Sequence, residues 1–429
     1  MMTFLGAKQG FCDGLSRRNF LKIGAFGAGL SLADMLRLQA QASSAPNNQT
    51  APSRRKSAIM IYLPGGPTHM DMYDLKPNAP AEFRGEFNPI QTNCNGVQIS
   101  ELFPLQARMW DKFACIRSIV SVDEHSDSLV STGKSERENM TANHPCFGSV
   151  MSRVRQSEQA AMPTFVSLRG MSRRGTEPGF LGISHRPFSP QGPAVENLRP
   201  IQTVGEERMT DRRAMLEGFD NFRREADQNA AGLDTFTSRA FDMISSGGVR
   251  NALDLTREGQ AGRNRYQGVE QFLTARRLVE AGVGCVTLSY GGWDTHGQNF
   301  QAMRRQLPPL DKALSNLVQD LHDRGLQNDV VLVMWGEFGR TPRINMNAGR
   351  DHWSPVMSAL VAGGGLRMGQ AIGSSTARGE RPQDSRYTVP QVLGTLYRAM
   401  GIDPATTFPN GTGRPISIVD DRTPVRELV

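Results

Sequence analysis

The first apolar pattern in the body of the chain is Ala58-Ile59-Met60-Ile61-Tyr62-Leu63, a run with no charged position, closed by Pro64-Gly65-Gly66-Pro67. Successive side chains of a strand point to opposite faces, so an unbroken apolar run predicts a strand buried on both sides, here followed by a tight loop. The same pattern returns at residues 284–290 and 330–335. A helical segment ends near Glu280 and is stopped by Gly282. A second helix is predicted between the two later strands, with Pro309 at its start and Gly325 at its stop. Its apolar stripe is Leu310, Leu314, Leu317, Val318 and Leu321, spaced at i, i+4, i+7, i+8 and i+11. Strand, helix, strand with continuous apolar strands predicts a parallel sheet covered by helices. Residues 357–362, ended by three glycines, add a strand, and residues 389–400 a closing helix. The expected fold class is α/β, a three-layer α/β/α sandwich with a mostly parallel central sheet.

Residues 170–265 break this rhythm with a Gly/Pro/Arg-rich stretch and a polar helical segment at 211–226. They are read as an insertion or cap within a domain spanning 58–429. Charge changes the picture only at the N-terminus. The 429 residues carry a formal charge of +7, but residues 1–42 hold five Lys/Arg against two Asp/Glu, and Arg54, Arg55 and Lys56 follow. The remainder is nearly neutral, which excludes a nucleic-acid footprint. The body has no apolar run long enough to span a bilayer, so no stable transmembrane anchor is expected in the mature chain.

Ser16-Arg17-Arg18-Asn19-Phe20-Leu21-Lys22, a weakly apolar stretch at 23–36 and Ala40-Gln41-Ala42 form the three parts of an export signal of the twin-arginine type. The expectation is a leader over 1–42 that engages the twin-arginine translocase, a flexible linker at 43–57, and a periplasmic or secreted body. Cleavage there leaves Cys94, Cys115, Cys146 and Cys285, none in Cys-x-x-Cys spacing. A zinc knuckle is therefore not expected, while an oxidising compartment permits one or two disulfides.

The motifs Gly-x-Ser-x-Gly, His-Glu-x-x-His and Gly-x-x-x-x-Gly-Lys-Ser/Thr are absent, which removes the simple serine hydrolase, zincin and P-loop readings. Four of the seven histidines instead sit beside acids: His69-Met70-Asp71, Asp123-Glu124-His125, Asp294-Thr295-His296 and Asp351-His352. One such pair is ordinarily a surface ion pair, but loops after parallel strands converge on one sheet edge, where ligands bind. Mixed imidazole and carboxylate ligands suit Zn, Mn or Fe, and carboxylates alone suit Ca or Mg.

The order Trp293-Asp294-Thr295-His296, helix, strand, Gly336-Glu337-Phe338-Gly339-Arg340, then Gly349-Arg350-Asp351-His352-Trp353 resembles the second half of the alkaline phosphatase-like superfamily of phosphatases, sulfatases and cofactor-independent phosphoglycerate mutases. With the leader, Gly65-Gly66-Pro67-Thr68-His69-Met70-Asp71, Phe83-Arg84-Gly85-Glu86-Phe87 and Ile116-Arg117-Ser118, it is similar to the family of domains of unknown function numbered 1501, exported proteins that carry a sulfatase label. The resemblance implies Asp294 and His296 as ligands of one metal, Glu337 as ligand of a second, and His352 as the final metal histidine, with Asp351 beside it as a further metal ligand. His69 and Asp71 would stand in for the acid that the superfamily places at the end of the first strand, a position held here by Pro64 and Gly65. The nucleophile is expected near His125, with Ser126 activated by metal or by that imidazole. Arg340 would stabilise an oxyanion. No Cys/Ser-x-Pro-x-Arg pentapeptide occurs, so formylglycine chemistry is not expected. The implied function is metal-dependent hydrolysis of a small-molecule or polysaccharide phosphate or sulfate ester, with Zn foremost and Mn, Ca or Mg as alternatives. The alternative is a non-catalytic exported protein that binds a metal or a glycan on the same fold.

Overall fold

The computed structural model describes residues 55–156, 162–168, 177–190 and 247–429. The leader at 1–42, the linker up to residue 54, the helical segment at 211–226 and much of the 170–265 insertion lie outside these residues.

Among the described residues eight strands form one sheet: β1 (Ser57–Tyr62), β2 (Phe113–Val120), β3 (Phe165–Leu168), β4 (Cys285–Ser289), β5 (Val330–Trp335), β6 (Met357–Gly363), β7 (Gln370–Ile372) and β8 (Tyr387–Thr388). Their order is β7-β2-β6-β5-β1-β4-β3, and β8 also pairs with β2. β1 runs parallel to β4 and β5, β3 parallel to β4, and β7 and β8 parallel to β2. β6 alone is reversed, antiparallel to both β5 and β2.

The unbroken apolar runs follow from the two cores. Along β1, Ala58, Met60 and Tyr62 enter one core, and Ile59 and Ile61, followed by Leu63, enter the other. β5 divides the same way, with Val331, Val333 and Trp335 against Val330, Leu332 and Met334. Helices α2 (Glu270–Glu280) and α3 (Asn299–Asp323) cover the first face through Phe272, Leu273, Leu310, Leu314 and Leu317. Helices α1 (Phe147–Val154) and α4 (Val389–Ala399) cover the second through Phe147, Val150, Val392 and Leu396. This is the expected three-layer α/β/α sandwich.

Two expectations need correction. Helix α3 begins at Asn299 rather than at Pro309 and carries Pro308 and Pro309 in its interior. An interior proline costs about 3 kcal/mol, but Phe300, Met303 and Leu307 extend the stripe of Leu310, Leu314 and Leu317, and all six are buried. Tertiary burial of nearly three extra turns outweighs the local signal. The second correction concerns the thiols: Cys94, Cys115, Cys146 and Cys285 are all free, so neither permitted disulfide forms. No helix among the described residues is long and apolar enough to cross a membrane.

The reversal of β6 matters for function. Its N-terminal end, reached through His352–Trp353, arrives at the same sheet edge as the C-terminal ends of β1, β2, β4 and β5.

Candidate metal centre

The turn after β1 is the template of this edge. Gly65 and Gly66 both have positive φ, +98° and +72°. A Cβ on Gly65 would lie 2.3 Å from the Asp294 backbone nitrogen, and one on Gly66 would lie 2.4 Å from the Phe338 ring. Only glycine permits both the backbone conformation and the close approach of the loops after β4 and β5. The two amides then donate to the carboxylate of Glu337, Gly65 to Oε1 at 2.9 Å and Gly66 to Oε2 at 3.2 Å.

On this frame three imidazoles surround one carboxylate. Asp294 Oδ1 lies 3.0 Å from His296 Nε2 and 3.1 Å from His352 Nε2, and the two nitrogens are 3.2 Å apart. Asp294 Oδ2 lies 3.3 Å from His125 Nε2. His125, Asp294 and His352 offer ligand atoms all within 4.8 Å of one another. The other nitrogen of each ring faces a second carboxylate. His125 Nδ1 is 2.8 Å from Glu337 Oε1, His296 Nδ1 is 2.6 Å from Asp351 Oδ1, and His352 Nδ1 is 3.5 Å from Asp123 Oδ1. The Phe338 ring packs against His352 with centroids 4.4 Å apart.

The donor chemistry identifies what fits. With the Nδ1 proton of His296 given to Asp351, its Nε2 is a lone pair, and it faces a carboxylate oxygen and a second Nε2. Three acceptor atoms at such separations repel unless a cation sits among them. Four-coordinate zinc with bonds near 2.0–2.1 Å has ligand atoms roughly 3.3 Å apart, close to the triangle observed. Asp294 is suited to the role. Burial raises its carboxyl pKa, but the hydrogen bond and charge of the Arg340 guanidinium outweigh this and hold it well below the usual carboxylate range. The hydrogen bond from His296 likewise lowers Asp351.

A family described as Protein of unknown function (DUF1501) matches residues 55–429. The chain belongs to the DUF1501 family. No curated protein matches it. Among solved structures it is similar to the lipoteichoic acid synthase LtaP from Listeria monocytogenes, at 10% identity over 91% of this chain and 81% of that one, with a TM-score of 0.36. An alkaline phosphatase superfamily protein from Vibrio parahaemolyticus gives 10% identity over 88% and 77%, with a TM-score of 0.37. The phosphonate monoester hydrolase of Agrobacterium radiobacter gives 10% over 82% and 75%, with a TM-score of 0.33.

The DUF1501 chain thus places Asp294, His296, His352 and His125 together, and it places the other expected residues differently. Glu337 and Asp351 stand behind the rings, on Nδ1, instead of facing the acceptor triangle. Asp71 is buried and pairs bidentately with Arg350, at 2.8 Å from Nε and 3.1 Å from Nη2. Thr68 Oγ1 and Asn299 Nδ2 donate to it as well, at 3.0 and 2.9 Å. Its acceptor capacity is consumed, so Asp71 anchors the loop that carries His352. His69 is fully buried, bonds Gly379 O through Nε2 at 2.8 Å, and has its pKa lowered by burial. It too stands outside the cluster.

Arg340 is fully buried, and its guanidinium binds Gly65 O, Gly66 O and Arg350 O as well as Asp294 Oδ1. Arg340 therefore orients Asp294 and holds the Gly-Gly turn, and its fork is not free for an oxyanion. Ser126 Oγ accepts from the Ser128 amide at 3.2 Å in a local turn ahead of helix Ser128–Thr132, whose N-cap is Asp127. Both ring nitrogens of His125 are engaged by Glu337 and Asp294, which leaves neither to activate Ser126. Trp293 is buried and bonds Tyr290 O at 2.8 Å, while Trp353 bonds Glu380 O at 2.8 Å. Sequence reading missed Asn345, whose amide ties His296 O to Asp351 Oδ1. The motif Asn345-Met346-Asn347-Ala348-Gly349 carried only a turn signal.

Proposed function

We propose that this DUF1501 protein is a metal-dependent hydrolase of phosphate or sulfate esters that works outside the cytoplasm after twin-arginine export. The observation that carries this reading is the acceptor triangle of Asp294 Oδ1, His296 Nε2 and His352 Nε2, with sides of 3.0, 3.1 and 3.2 Å. Zinc is the ion that best fits two or three imidazoles and one carboxylate. His125, Asp294, His296 and His352 would hold it. When bound, such an ion supplies Lewis acidity, polarising an ester oxygen and acidifying water at neutral pH.

The chain's own groups do the rest. His125 and His296 each have 49% of their side-chain surface exposed and Asp294 45%, so an ester group can reach the cluster from solvent. Arg340 holds one oxygen of Asp294 and so directs the carboxylate at the rings. The saturated buried pair Asp71–Arg350 keeps the hairpin that carries His352 in register.

Protein recovered after native export, examined by elemental analysis and assayed on para-nitrophenyl phosphate and para-nitrophenyl sulfate, tests the proposal. The expected result is bound zinc and turnover of one ester that chelator abolishes and zinc restores. Zinc without turnover of either ester supports the exported metal- or glycan-binding alternative, and absence of both overturns the proposal.

A further inference from the structure

We infer that Glu337 is a positioning residue that acts through His125, and that the centre takes one divalent ion instead of the two implied by the superfamily resemblance. This inference rests on the metal-centre reading above. The carrying observation is how Glu337 is held. Its carboxylate receives the amides of Gly65 and Gly66 and His125 Nδ1. A carboxylate offers roughly four lone-pair directions, and three of them have donors that hold it on the turn and the ring. Its side chain is only 1% exposed, so no ion approaches from solvent. His69 and Asp71, the other ligands expected for a second ion, are locked into separate buried contacts.

The pattern around the centre repeats three times: a carboxylate on Nδ1 and Asp294 on Nε2, for His125 with Glu337, His296 with Asp351 and His352 with Asp123. Each outer carboxylate favours the proton on Nδ1 and leaves the Nε2 lone pair for the ion. The three differ in rigidity. Asp351 and Asp123 are 51% and 66% exposed, whereas Glu337 is fixed by the backbone of the Gly-Gly turn. Glu337 is thus the outer carboxylate that couples the turn after β1 to a metal-facing ring.

The test is a zinc titration of the metal-free full chain by calorimetry, checked by elemental analysis, together with nitrogen NMR of His125. Wild type is expected to bind one zinc, and metal-free His125 to carry its proton on Nδ1. Glu337→Gln should keep the stoichiometry at one and weaken zinc binding by roughly 10- to 100-fold. In a His125→Ala background the same change should do almost nothing further. Should Glu337→Gln fail to fold, wild-type stoichiometry and the His125 tautomer decide the question. Two zincs per wild-type chain, falling to one in Glu337→Gln, would make Glu337 a ligand of a second ion. An equal loss with and without His125 would show that it does not act through that ring. A wild-type chain that binds no zinc would overturn the metal centre itself, an outcome distinct from both.

Discussion

Two motifs that each set a histidine and an aspartate two positions apart, after neighbouring parallel strands, end in opposite roles. His69-Met70-Asp71 follows β1 and Asp294-Thr295-His296 follows β4. Asp71 meets a buried guanidinium with two hydrogen bonds, plus Thr68 and Asn299, and is 1% exposed. Asp294 meets one guanidinium through Oδ1, which also faces His296 and His352, and its Oδ2 faces His125, with 45% of the side chain open to solvent. The difference lies in how many donors the rest of the chain delivers. A carboxylate whose lone pairs are all filled holds the fold together. One that is partly filled and faces solvent and imidazole lone pairs is prepared for a cation.

The largest effect that separates the two regions is expected at Asp71. Asp71→Ala leaves the Arg350 guanidinium buried and unpaired, which costs about 3–5 kcal/mol. Denaturant unfolding should register that loss, while each folded chain still binds zinc, more weakly because the hairpin that carries His352 loses its anchor. A variant that kept its stability and lost its zinc would invert the comparison. Leu317→Ala calibrates the scale. Leu317 is fully buried in the α3 stripe, so truncation should cost about 2–5 kcal/mol in burial and cavity formation with zinc content unchanged.

Legibility in the sequence divides along the same line. β1, β4 and β5 were readable because a strand buried on both faces leaves a continuous apolar trace, and α4 because its stripe is bounded by Thr388 and Gly401. The direction of β6 was not readable, since apolar content does not encode orientation. The start of α3 was misplaced because Pro308 and Pro309 send a local signal that long-range burial overrides. At the site, residue type and neighbouring acids singled out His125, His296, His352 and Asp294, which the structure brings together. Glu337, Asp351, Asp71 and Arg340 were singled out as well, and their surroundings differ from those the resemblance implies. A carboxylate's role depends on donors such as the Gly65 amide or the Arg350 guanidinium, which lie 272 and 279 positions away in the chain.

A smaller effect comes with pH. Burial lowers the folded pKa of His69 below its ordinary value, so the unfolded chain binds more protons under acid conditions. The sign is fixed by linkage: the stability contributed by neutral His69 is present above about pH 6.5 and is lost below it, at up to ~1.4 kcal/mol per pH unit. Thermal or urea unfolding between pH 7.5 and 5.5 should show this slope, and His69→Gln should flatten it. An unchanged slope would mean that His69 does not remain neutral in the fold. The smallest effect on stability is expected at His296. His296→Ala opens a coordination position on an exposed loop, so the metal-free protein should change by no more than about 0.5 kcal/mol while zinc binding is lost. Early melting with full zinc retention would make His296 a structural residue like His69.

The central claim is that the edge cluster, and not the buried Asp–His motif, holds the ion. Diffraction from zinc-soaked crystals, recorded on both sides of the zinc absorption edge, tests it most directly. One anomalous peak is expected within roughly 2.0–2.2 Å of Asp294 Oδ1, His296 Nε2 and His352 Nε2. A peak beside His69 and Asp71, or none at the edge cluster under saturating zinc, would contradict it.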